Sequence, residues 1–414
     1  METKEYRLKQ VTEKITKGTT PSNIGESFTE EGIMYFRSEL IGKSKYIDKS
    51  DGLLFISNET HEKLKRSQIQ KNDLLFSMAG IYLGKISLVG DEDFPANTNQ
   101  AVAIIRFNSK EIDLEYVYYY MTQRWYNIYI NSLTAQAAQP NINLEQIGNL
   151  KLNLPPLPTQ QKIASILSAY DNLIQNYKKQ IEALQTAASE LYKEWFVRFR
   201  FPGYQTTKFE NGIPDGWKVE RLGNLAEIKS GKRLPQGYDF SDYPTRHPYI
   251  RARDIKHGNI DSNDFAYISN EVYQKLKRYI VDENDILLTI VANIGDVGYV
   301  NKSLQGFNLT ENAVRLTNYS KRIEPRYLCY YLSQPATKIY MEGLAVGAAQ
   351  AKLGIYKIET IKVLLPNINI QKDFSRRITL IHTKIDNLNK QITNLTQQRD
   401  LLLPRLMSGK LELK

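Results

Sequence analysis

Two stretches of the chain repeat apolar residues at alternating spacings of four and three. Each follows a Leu-Pro pair, at 154–155 and at 365–366, where proline ends a strand and a helix can begin. The first seam is Ile163, Leu167, Tyr170, Ile174, Tyr177, Ile181, Leu184, Ala188, Leu191 and Trp195. The second is Phe374, Ile378, Ile381, Ile385, Leu388, Ile392, Leu395, Arg399, Leu402 and Leu406, in which Arg399 alone is charged. This spacing indicates the heptad seam of a coiled coil.

The length of these two helices favours pairing between them. A helix over 163–195 is roughly 48 Å long at ~1.5 Å per residue, which exceeds the width of a small domain. The alternative is that each amphipathic helix packs on its own domain. We expect a two-helix coiled coil, and antiparallel pairing about a pseudo-twofold axis is the common closed solution for two similar partners.

The whole chain is a tandem repeat with an offset near 211 residues, the separation of Ile163 from Phe374. Residues 69–75 (IQKNDLL) match 281–287 (VDENDIL), and both runs look like a strand that is entered through an Asn-Asp turn. Residues 100–102 match 312–314, and the Ala-Ala-Gln runs at 137–139 and 348–350 match each other. The two halves therefore share one framework.

The pattern predicts an α+β protein with two tandem similar α/β domains. Short strands are expected at Val102–Phe107 and Ala313–Leu316, and short helices at Leu114–Arg124 and Pro325–Ser333. The order of the strands does not follow from the pattern. The predicted segments are a first domain at 1–158, a long helix at 159–199, a linker with several bends at 200–217, a second domain at 218–367, a second long helix at 368–406 and a tail at 407–414.

Composition narrows the class of protein. A hydrophobic fraction of 42% and a charged fraction of 24% are those of globular domains, not of a disordered chain. Fifty-five basic residues against 45 acidic ones give a formal net charge of +10, which favours a polyanionic partner such as nucleic acid. One cysteine, Cys329, excludes an internal disulfide. The charged N-terminus and the lack of a long apolar run lead us to expect a cytoplasmic protein without a signal peptide or membrane span.

Four local strings then suggest a family. They are LPPLPTQQKIA at 154–164, WFVRFRFPG at 195–203, GIPDGWKVERLG at 212–223 and LLPRLMSGKLEL at 402–413. As a set, and together with the duplicated Asn-Asp turns, they resemble the specificity subunits of type I restriction-modification systems over nearly the full length. The family's usual Glu-Gln at the helix start is Gln160-Gln161 here and Ile370-Gln371 in the second copy.

The resemblance implies a function and a set of partners. Each globular domain would be a target-recognition domain that reads one half of a bipartite site in double-stranded DNA. The paired helices would set the spacing and dock two methyltransferase subunits, and motor-nuclease subunits would add restriction. S-adenosylmethionine, ATP and Mg²⁺ would be used by those partners, and this chain would bind no cofactor.

No catalytic or metal-ligating residue is predicted. An adenine methyltransferase needs an Asn/Asp-Pro-Pro-aromatic loop, whereas Pro155-Pro156 lies between leucines. Asp215, Glu227 and Lys229 resemble a nuclease motif, but Asp215 lies in a turn signal and so short a pattern arises by chance. The four histidines show no ligand spacing, and Cys329 fits a small core residue.

Polar and basic loops supply the candidate DNA contacts, because Lys and Arg neutralise phosphates while Arg, Asn and Gln can read base edges. In the first half they are Lys17, Thr19, Arg37, Lys43, Lys45, Tyr46, Asn99, Gln100 and Gln139. In the second half they are Lys232, Arg233, Arg251, Arg253, Lys256, Asn259, Asn312, Gln350 and Lys352. Arg251 and Arg253 alternate on an expected strand, and a structural ion pair with Asp254 is the alternative for them.

Three hypotheses therefore stand. The first is a non-catalytic DNA-sequence-reading subunit whose two domains read different half-sites, because their loops differ. The second is an enzyme, which turnover by the isolated chain would reveal. The third is a coiled-coil adaptor without a DNA role, which salt-sensitive DNA binding would exclude. The target bases and the spacer length do not follow from the sequence.

Overall fold

A computed structural model describes residues 2–49, 52–134, 140–256, 258–261, 264–345 and 351–411. The chain forms two compact units. Unit 1 consists of Met1–Lys179 and Asn389–Lys414, and unit 2 consists of Gln180–Leu388. No helix within the described ranges is long and apolar enough to cross a membrane.

The described residues of unit 1 form ten short strands and four short helices, together with parts of two long helices. Its strands are β1 (Lys4–Arg7), β2 (Thr12–Lys17), β3 (Ile33–Phe36), β4 (Leu54–Ile56), β5 (Gln68–Ile69), β6 (Leu74–Ser77), β7 (Ile86–Leu88), β8 (Ala96–Thr98), β9 (Val102–Phe107) and β10 (Lys151–Leu154). Its short helices are α1 (Asn58–Lys63), α2 (Leu114–Met121), α3 (Arg124–Ser132) and α4 (Leu144–Gly148). Turns of 3-10 helix lie at Leu8–Gln10, Pro21–Ile24, Ser38–Leu40, Lys65–Ser67 and Gly80–Tyr82.

Two four-stranded sheets form the body of unit 1, in the orders β2-β9-β6-β7 and β4-β3-β8-β5. Strand β6 is buried on both faces, and its residues alternate between two cores. Leu74 and Phe76 pack toward the helices, whereas Leu75 packs toward the second sheet. The period of two in the side chains therefore places a helix layer on one face of the first sheet and the second sheet on the other.

Unit 2 repeats this set of elements. Its strands are β11 (Phe209–Glu210), β12 (Ile213–Pro214), β13 (Lys218–Arg221), β14 (Glu227–Ser230), β15 (Pro248–Ile250), β16 (Ile255–Lys256), β17 (Asn259–Ile260), β18 (Ala266–Tyr267), β19 (Ile286–Thr289), β20 (Val297–Tyr299), β21 (Asn308–Leu309), β22 (Ala313–Thr317) and β23 (Lys362–Leu365). Its short helices are α6 (Asn270–Lys275), α7 (Pro325–Leu332), α8 (Pro335–Leu344) and α9 (Ile355–Glu359). Its 3-10 turns lie at Tyr204–Thr206, Leu222–Asn224, Ala252–Asp254, Lys277–Tyr279 and Lys302–Leu304.

The first sheet of unit 2 has the strand order of the first sheet of unit 1, and the second sheet of unit 2 has three strands, β18-β15-β21, in the part of the chain that the structure describes. The order β14-β22-β19-β20 reproduces β2-β9-β6-β7, and the parallel pair β15-β21 reproduces β3-β8. The Asn-Asp turns enter equivalent strands, since β6 and β19 each begin directly after one. In both turns the asparagine, Asn72 or Asn284, takes a positive φ (67° and 73°), which this residue tolerates better than most. The repeat and the α+β class predicted from the sequence are confirmed.

Two long helices complete the units: α5 (Leu157–Tyr192), which ends in a π-helical turn at Lys193–Val197, and α10 (Ile368–Met407). In unit 1, Leu406 shares a core with Ile163, while Arg399 pairs with Asp171. From the first contact to the second, the residue number increases in α5 and decreases in α10, so these two helix segments are antiparallel. In unit 2, Trp195 contacts Phe374, and both share a core with Ala188 and Ile381.

The predicted seam positions on both helices are withdrawn from solvent. Those that are buried are Ile163, Leu167, Ile174, Ala188, Trp195, Phe374, Ile378, Ile385, Leu388 and Leu406. Those that are half-buried are Tyr170, Tyr177, Ile181, Leu184, Leu191, Ile381, Ile392, Leu395 and Leu402. The antiparallel coiled-coil pair predicted from the heptad spacing is thus present in the fold.

The segment at 200–217, predicted to be a linker with several bends, belongs to the packed body of unit 2. It contains the β11-β12 hairpin, and its Phe201 and Trp217 side chains are buried in the unit's core. The two rings lie 5.1 Å apart, centroid to centroid.

Candidate nucleic-acid interface

In unit 1, four of the candidate DNA-contact residues come together at one end of the first sheet. Strand β2 ends at Lys17 and β9 begins at Val102, and the two strands are antiparallel neighbours. Backbone bonds from Gly18 N to Val102 O (3.1 Å) and from Thr19 N to Thr98 O (3.0 Å) hold the loops together. We call Lys17, Thr19, Asn99 and Gln100 the sheet-end surface of unit 1.

The glycine at this crossing is required by space. A Cβ atom on Gly18 would lie 2.0 Å from the carbonyl oxygen of Thr98, and one on Gly231 would lie 2.0 Å from that of Thr310. Both loops therefore need glycine where the backbones approach. The equivalent geometry in the two units means that each holds its loops in the same way.

Unit 2 presents a second sheet-end surface, formed by Lys232, Arg233, Asn312 and Lys352. Lys232 N donates to Leu309 O (2.9 Å), and Ile290 N donates to Asn312 O (2.9 Å). Lys352 joins the group through its β-bridge with Val291. Arg233 forms an exposed ion pair with Glu311 (3.2 Å), so it is held at the surface without being buried. Basic and amide side chains of this kind can contact phosphates and base edges.

The loop after β6 also reaches the sheet-end surface of unit 1, and sequence reasoning did not include it among the DNA contacts. Gly80 N donates to Pro140 O (3.0 Å), and Met78 N donates to Ala101 O (2.8 Å). At its tip, the Ile81 side chain is 86% exposed. The equivalent loop of unit 2 instead exposes Ala292 and Asn293. The Gly-containing stretch was visible in the sequence, but its position beside Asn99 depends on long-range strand pairing.

Arg37, Arg251 and Arg253 lie just beyond the parallel strand pair of their unit. Arg37 directly follows β3, whose Phe36 pairs with Thr98. Arg251 directly follows β15 and forms an ion pair with the buried Asp254 (3.1 Å), while Arg253 pairs with Asp264 (2.6 Å). The expectation that Arg251 and Arg253 alternate on a strand was wrong, because Ala252–Asp254 is a 3-10 turn. The structural ion pair, which was the alternative, is present.

A third group of candidates flanks the outer strand of each first sheet. Tyr46 bridges to Leu88, at the far end of β7 from the sheet-end surface, and Lys43 precedes it on the surface. Lys256 and Asn259 lie on the β16-β17 hairpin beside β20, and Lys256 pairs with Asp261 (3.4 Å). These residues are not brought into the sheet-end surfaces. Gln139 and Gln350 lie outside the described residues.

Lys45 occupies a different environment from the other candidates. Its side chain is 1% exposed, and its Nζ donates to Glu115 (2.5 Å) and to Ser168 on α5 (3.4 Å). A lysine so enclosed and paired is a link between loop, domain helix and long helix. We therefore leave Lys45 out of the interface proposed below.

The contact of Lys45 belongs to a buried polar network that joins the first domain to both long helices. Ser168 donates to Glu115, and Tyr119 donates to Asp171, which also pairs with Arg399 on α10. Unit 2 has Tyr330 and His382 at the positions 211 residues after Tyr119 and Asp171, and their side chains lie 3.0 Å apart. Burial and the nearby Arg326 lower the pKa of His382 to about 4, so this contact is neutral at pH 7.

Two residues of the nuclease-like pattern form an ordinary surface ion pair. Glu227 pairs with Lys229 (3.0 Å) and accepts from Asn318 (2.6 Å), and these contacts lower the pKa of its carboxyl. Burial raises the pKa of the Cys329 thiol to about 12, which keeps it protonated. In the part of the chain that the structure describes, no group of three His, Cys, Asp or Glu side chains is placed to hold a metal ion.

Comparison with known proteins decides the family. The family described as "Type I restriction modification DNA specificity domain" matches residues 1–186 and again 214–397. The chain belongs to this family. It carries two copies of the specificity domain, and as a specificity subunit it is the non-catalytic DNA-recognition component of a type I restriction-modification system.

Individual relatives agree with this family over nearly the full length. The putative type I restriction enzyme MjaX specificity subunit of Methanocaldococcus jannaschii is 28% identical over 417 residues, which cover 98% of this chain and 93% of the relative. The MjaIX specificity subunit of the same organism is 26% identical, with coverage of 99% and 94%. The crystal structure of a type I restriction-modification S subunit from M. genitalium has the same fold, with a TM-score of 0.58, 19% identity and coverage of 98% and 96%.

Proposed function

We propose that each specificity domain reads one half of a bipartite site in double-stranded DNA through its sheet-end surface, and that the long helices set the distance between the half-sites. The observation that carries this proposal is the difference between two otherwise matching surfaces. In the matching loops, Thr20 and Gln100 of unit 1 contact each other where Arg233 and Glu311 do in unit 2, and Thr19 of unit 1 takes the place of Lys232. The same framework thus presents different hydrogen-bonding groups, as two different half-sites require.

Membership of the specificity-subunit family also suggests the partners of the chain. Two methyltransferase subunits dock on the chain, and motor-nuclease subunits join them for restriction. S-adenosylmethionine, ATP and Mg²⁺ are used by those subunits, and the specificity chain holds none of them. The overall charge of +10 supports DNA as the direct ligand.

Methylome sequencing of cells that express the chain with its methyltransferase subunit tests the proposal. Wild type should give one bipartite methylated motif. Asn99→Ala with Gln100→Ala should relax or abolish recognition of one half-site, and Asn312→Ala should affect the other half-site. Lys110→Ala and Lys321→Ala are matched controls, because these exposed lysines follow the opposite ends of β9 and β22. An unaltered motif in all the variants would contradict the assignment of the surfaces.

A further inference from the structure

Arg399 is the single charged residue in the two apolar seams, and it forms an ion pair. Arg399 of α10 bonds to Asp171 of α5, whose side chain is 5% exposed, against 25% for Arg399. Tyr119 donates to the same carboxylate, and Asp400 accepts from the guanidinium at 2.7 Å. Asp171 is therefore a buried carboxylate whose charge is balanced by a residue of the other long helix.

The repeat carries this pair once. At the offset of 211 residues, the counterpart of Asp171 is His382 and the counterpart of Arg399 is Ala188. Ala188 is buried in the core of unit 2, and His382 contacts Tyr330. At these equivalent positions the carboxylate therefore occurs only on α5, as Asp171, and the guanidinium only on α10, as Arg399. The remaining seam residues are aliphatic or aromatic in both helices, so hydrophobic burial distinguishes poorly between the two helices as partners.

We propose that Asp171 and Arg399 determine which long helices pair. They make α5, the first long helix, pair with α10, the second, and not with the α5 of another copy of the chain. In an equivalent first-with-first pairing, Asp171 would face Ala188 and remain buried without a cation. In a second-with-second pairing, Arg399 would face His382, which offers no negative charge. The first-with-first form leaves Asp171 buried without a counter-charge, which is strongly unfavourable, and the second-with-second form leaves Arg399 only the exposed Asp400 as its ionic partner.

This choice has a consequence for DNA reading that rests on the proposed function. A first-with-first pair would combine two identical domains, which would read the same half-site twice. A correct pair combines two different domains and reads an asymmetric site. The pairing itself does not depend on DNA, so it can be tested without it.

Complementary charge variants of the full-length chain provide the test. One chain carries Asp171→Arg, which sets Arg against Arg399, and a differently tagged chain carries Arg399→Asp, which sets Asp against Asp171. When they are co-expressed, exchange of partner helices restores both ion pairs. We expect a 1:1 heterodimer, recovered through both tags and with twice the chain mass by light scattering. Its fraction should exceed that of two tagged wild-type chains by at least about tenfold.

Controls separate this effect from general disturbance. Lys4 and Glu111 form an exposed ion pair in unit 1, with side chains 67% and 58% exposed, so the pair Lys4→Glu and Glu111→Lys should exchange no more than wild type. If each Asp171 or Arg399 variant is insoluble alone, co-expression should recover both chains. The double variant Asp171→Arg/Arg399→Asp restores the ion pair within one chain, so it should form no more interchain dimer than wild type. Exchange at the wild-type level on co-expression, or a double variant that pairs between chains, would overturn the proposal.

Discussion

The two units share a framework but use different polar contacts where each domain packs on the long helices. Unit 1 uses a charged contact, Asp171 with Arg399, which Tyr119 supports. Unit 2 uses a neutral contact between Tyr330 and His382 at the equivalent place. Both units therefore hold the long helices by apolar burial, whereas the polar contact at the equivalent place is charged in unit 1 and neutral in unit 2.

The largest difference between the two units should appear in unfolding free energy when one partner is removed from the Asp171–Arg399 contact or from the Tyr330–His382 contact. Asp171→Ala leaves the Arg399 guanidinium without its main counter-charge, and we expect unit 1 to lose about 3 to 5 kcal/mol of unfolding free energy. His382→Ala removes a neutral hydrogen bond and some packing, so unit 2 should lose only about 1 to 2 kcal/mol. Hydrogen exchange read by mass spectrometry on peptides of each unit measures both values. Equal losses would contradict the distinction between charged and neutral contacts.

The apolar seams should behave alike in the two units. Ile174 in unit 1 and Ile385 in unit 2 are 6% and 7% exposed, so Ile174→Ala and Ile385→Ala should each cost about 2 to 4 kcal/mol. Hydrogen exchange on peptides of each unit measures these losses of unfolding free energy. A charged residue at either position should also weaken docking of the methyltransferase subunits. If both charged variants keep wild-type stability and complex formation, the seam does not hold the helices together.

Acid should destabilise unit 2 through His382. The folded pKa of this ring is about 4, below the ordinary 6.5, because burial and Arg326 disfavour the charged form. The unfolded chain therefore takes up a proton before the folded one does, so stability falls as pH drops from about 6.5 toward about 4 and is full above that window. We expect a loss of about 3 kcal/mol near pH 4, which His382→Gln should largely remove. An unchanged acid profile in this variant would assign the loss to other groups.

The smallest effect should come from single lysines of the sheet-end surfaces. Each phosphate contact contributes about 0.9 to the slope of log binding constant against log salt. Lys17→Ala and Lys232→Ala should each reduce the slope by about this amount if the lysine contacts a phosphate, whereas Lys110→Ala and Lys321→Ala should not. Titrations of a duplex that contains the methylated motif measure this. Four equal slopes would exclude the two lysines from the interface.

The parts of the fold that could be predicted from sequence are those with a local or periodic cause. Strand Val102–Phe107 was predicted with its observed bounds, because a short apolar run sits between polar turns. The antiparallel helix pair followed from two matching seams. Arg399 was recognised as an interruption of the seam, but its partner was not, since Asp171 is far away in the chain.

The candidate site was harder to predict, because its members meet through strand pairing. Lys45 illustrates the problem: its neighbourhood reads as a basic loop, yet Glu115 and Ser168, both distant in sequence, enclose its charge. Ile81 was passed over for the opposite reason, as an apolar residue in a region where basic and amide groups were sought. The sequence supplied the loops, but not which of them share one end of the sheet.

The spacing role of the helices is tested most directly by lengthening both of them. One heptad inserted after Ile174 and one after Ile385 preserve the seam and add about 10 Å of helix, the length of about three base pairs. Methylome sequencing should then show the same two half-sites separated by a spacer a few base pairs longer. An unchanged spacer with altered half-site bases would contradict the account, because the helices would not set the distance between the two domains.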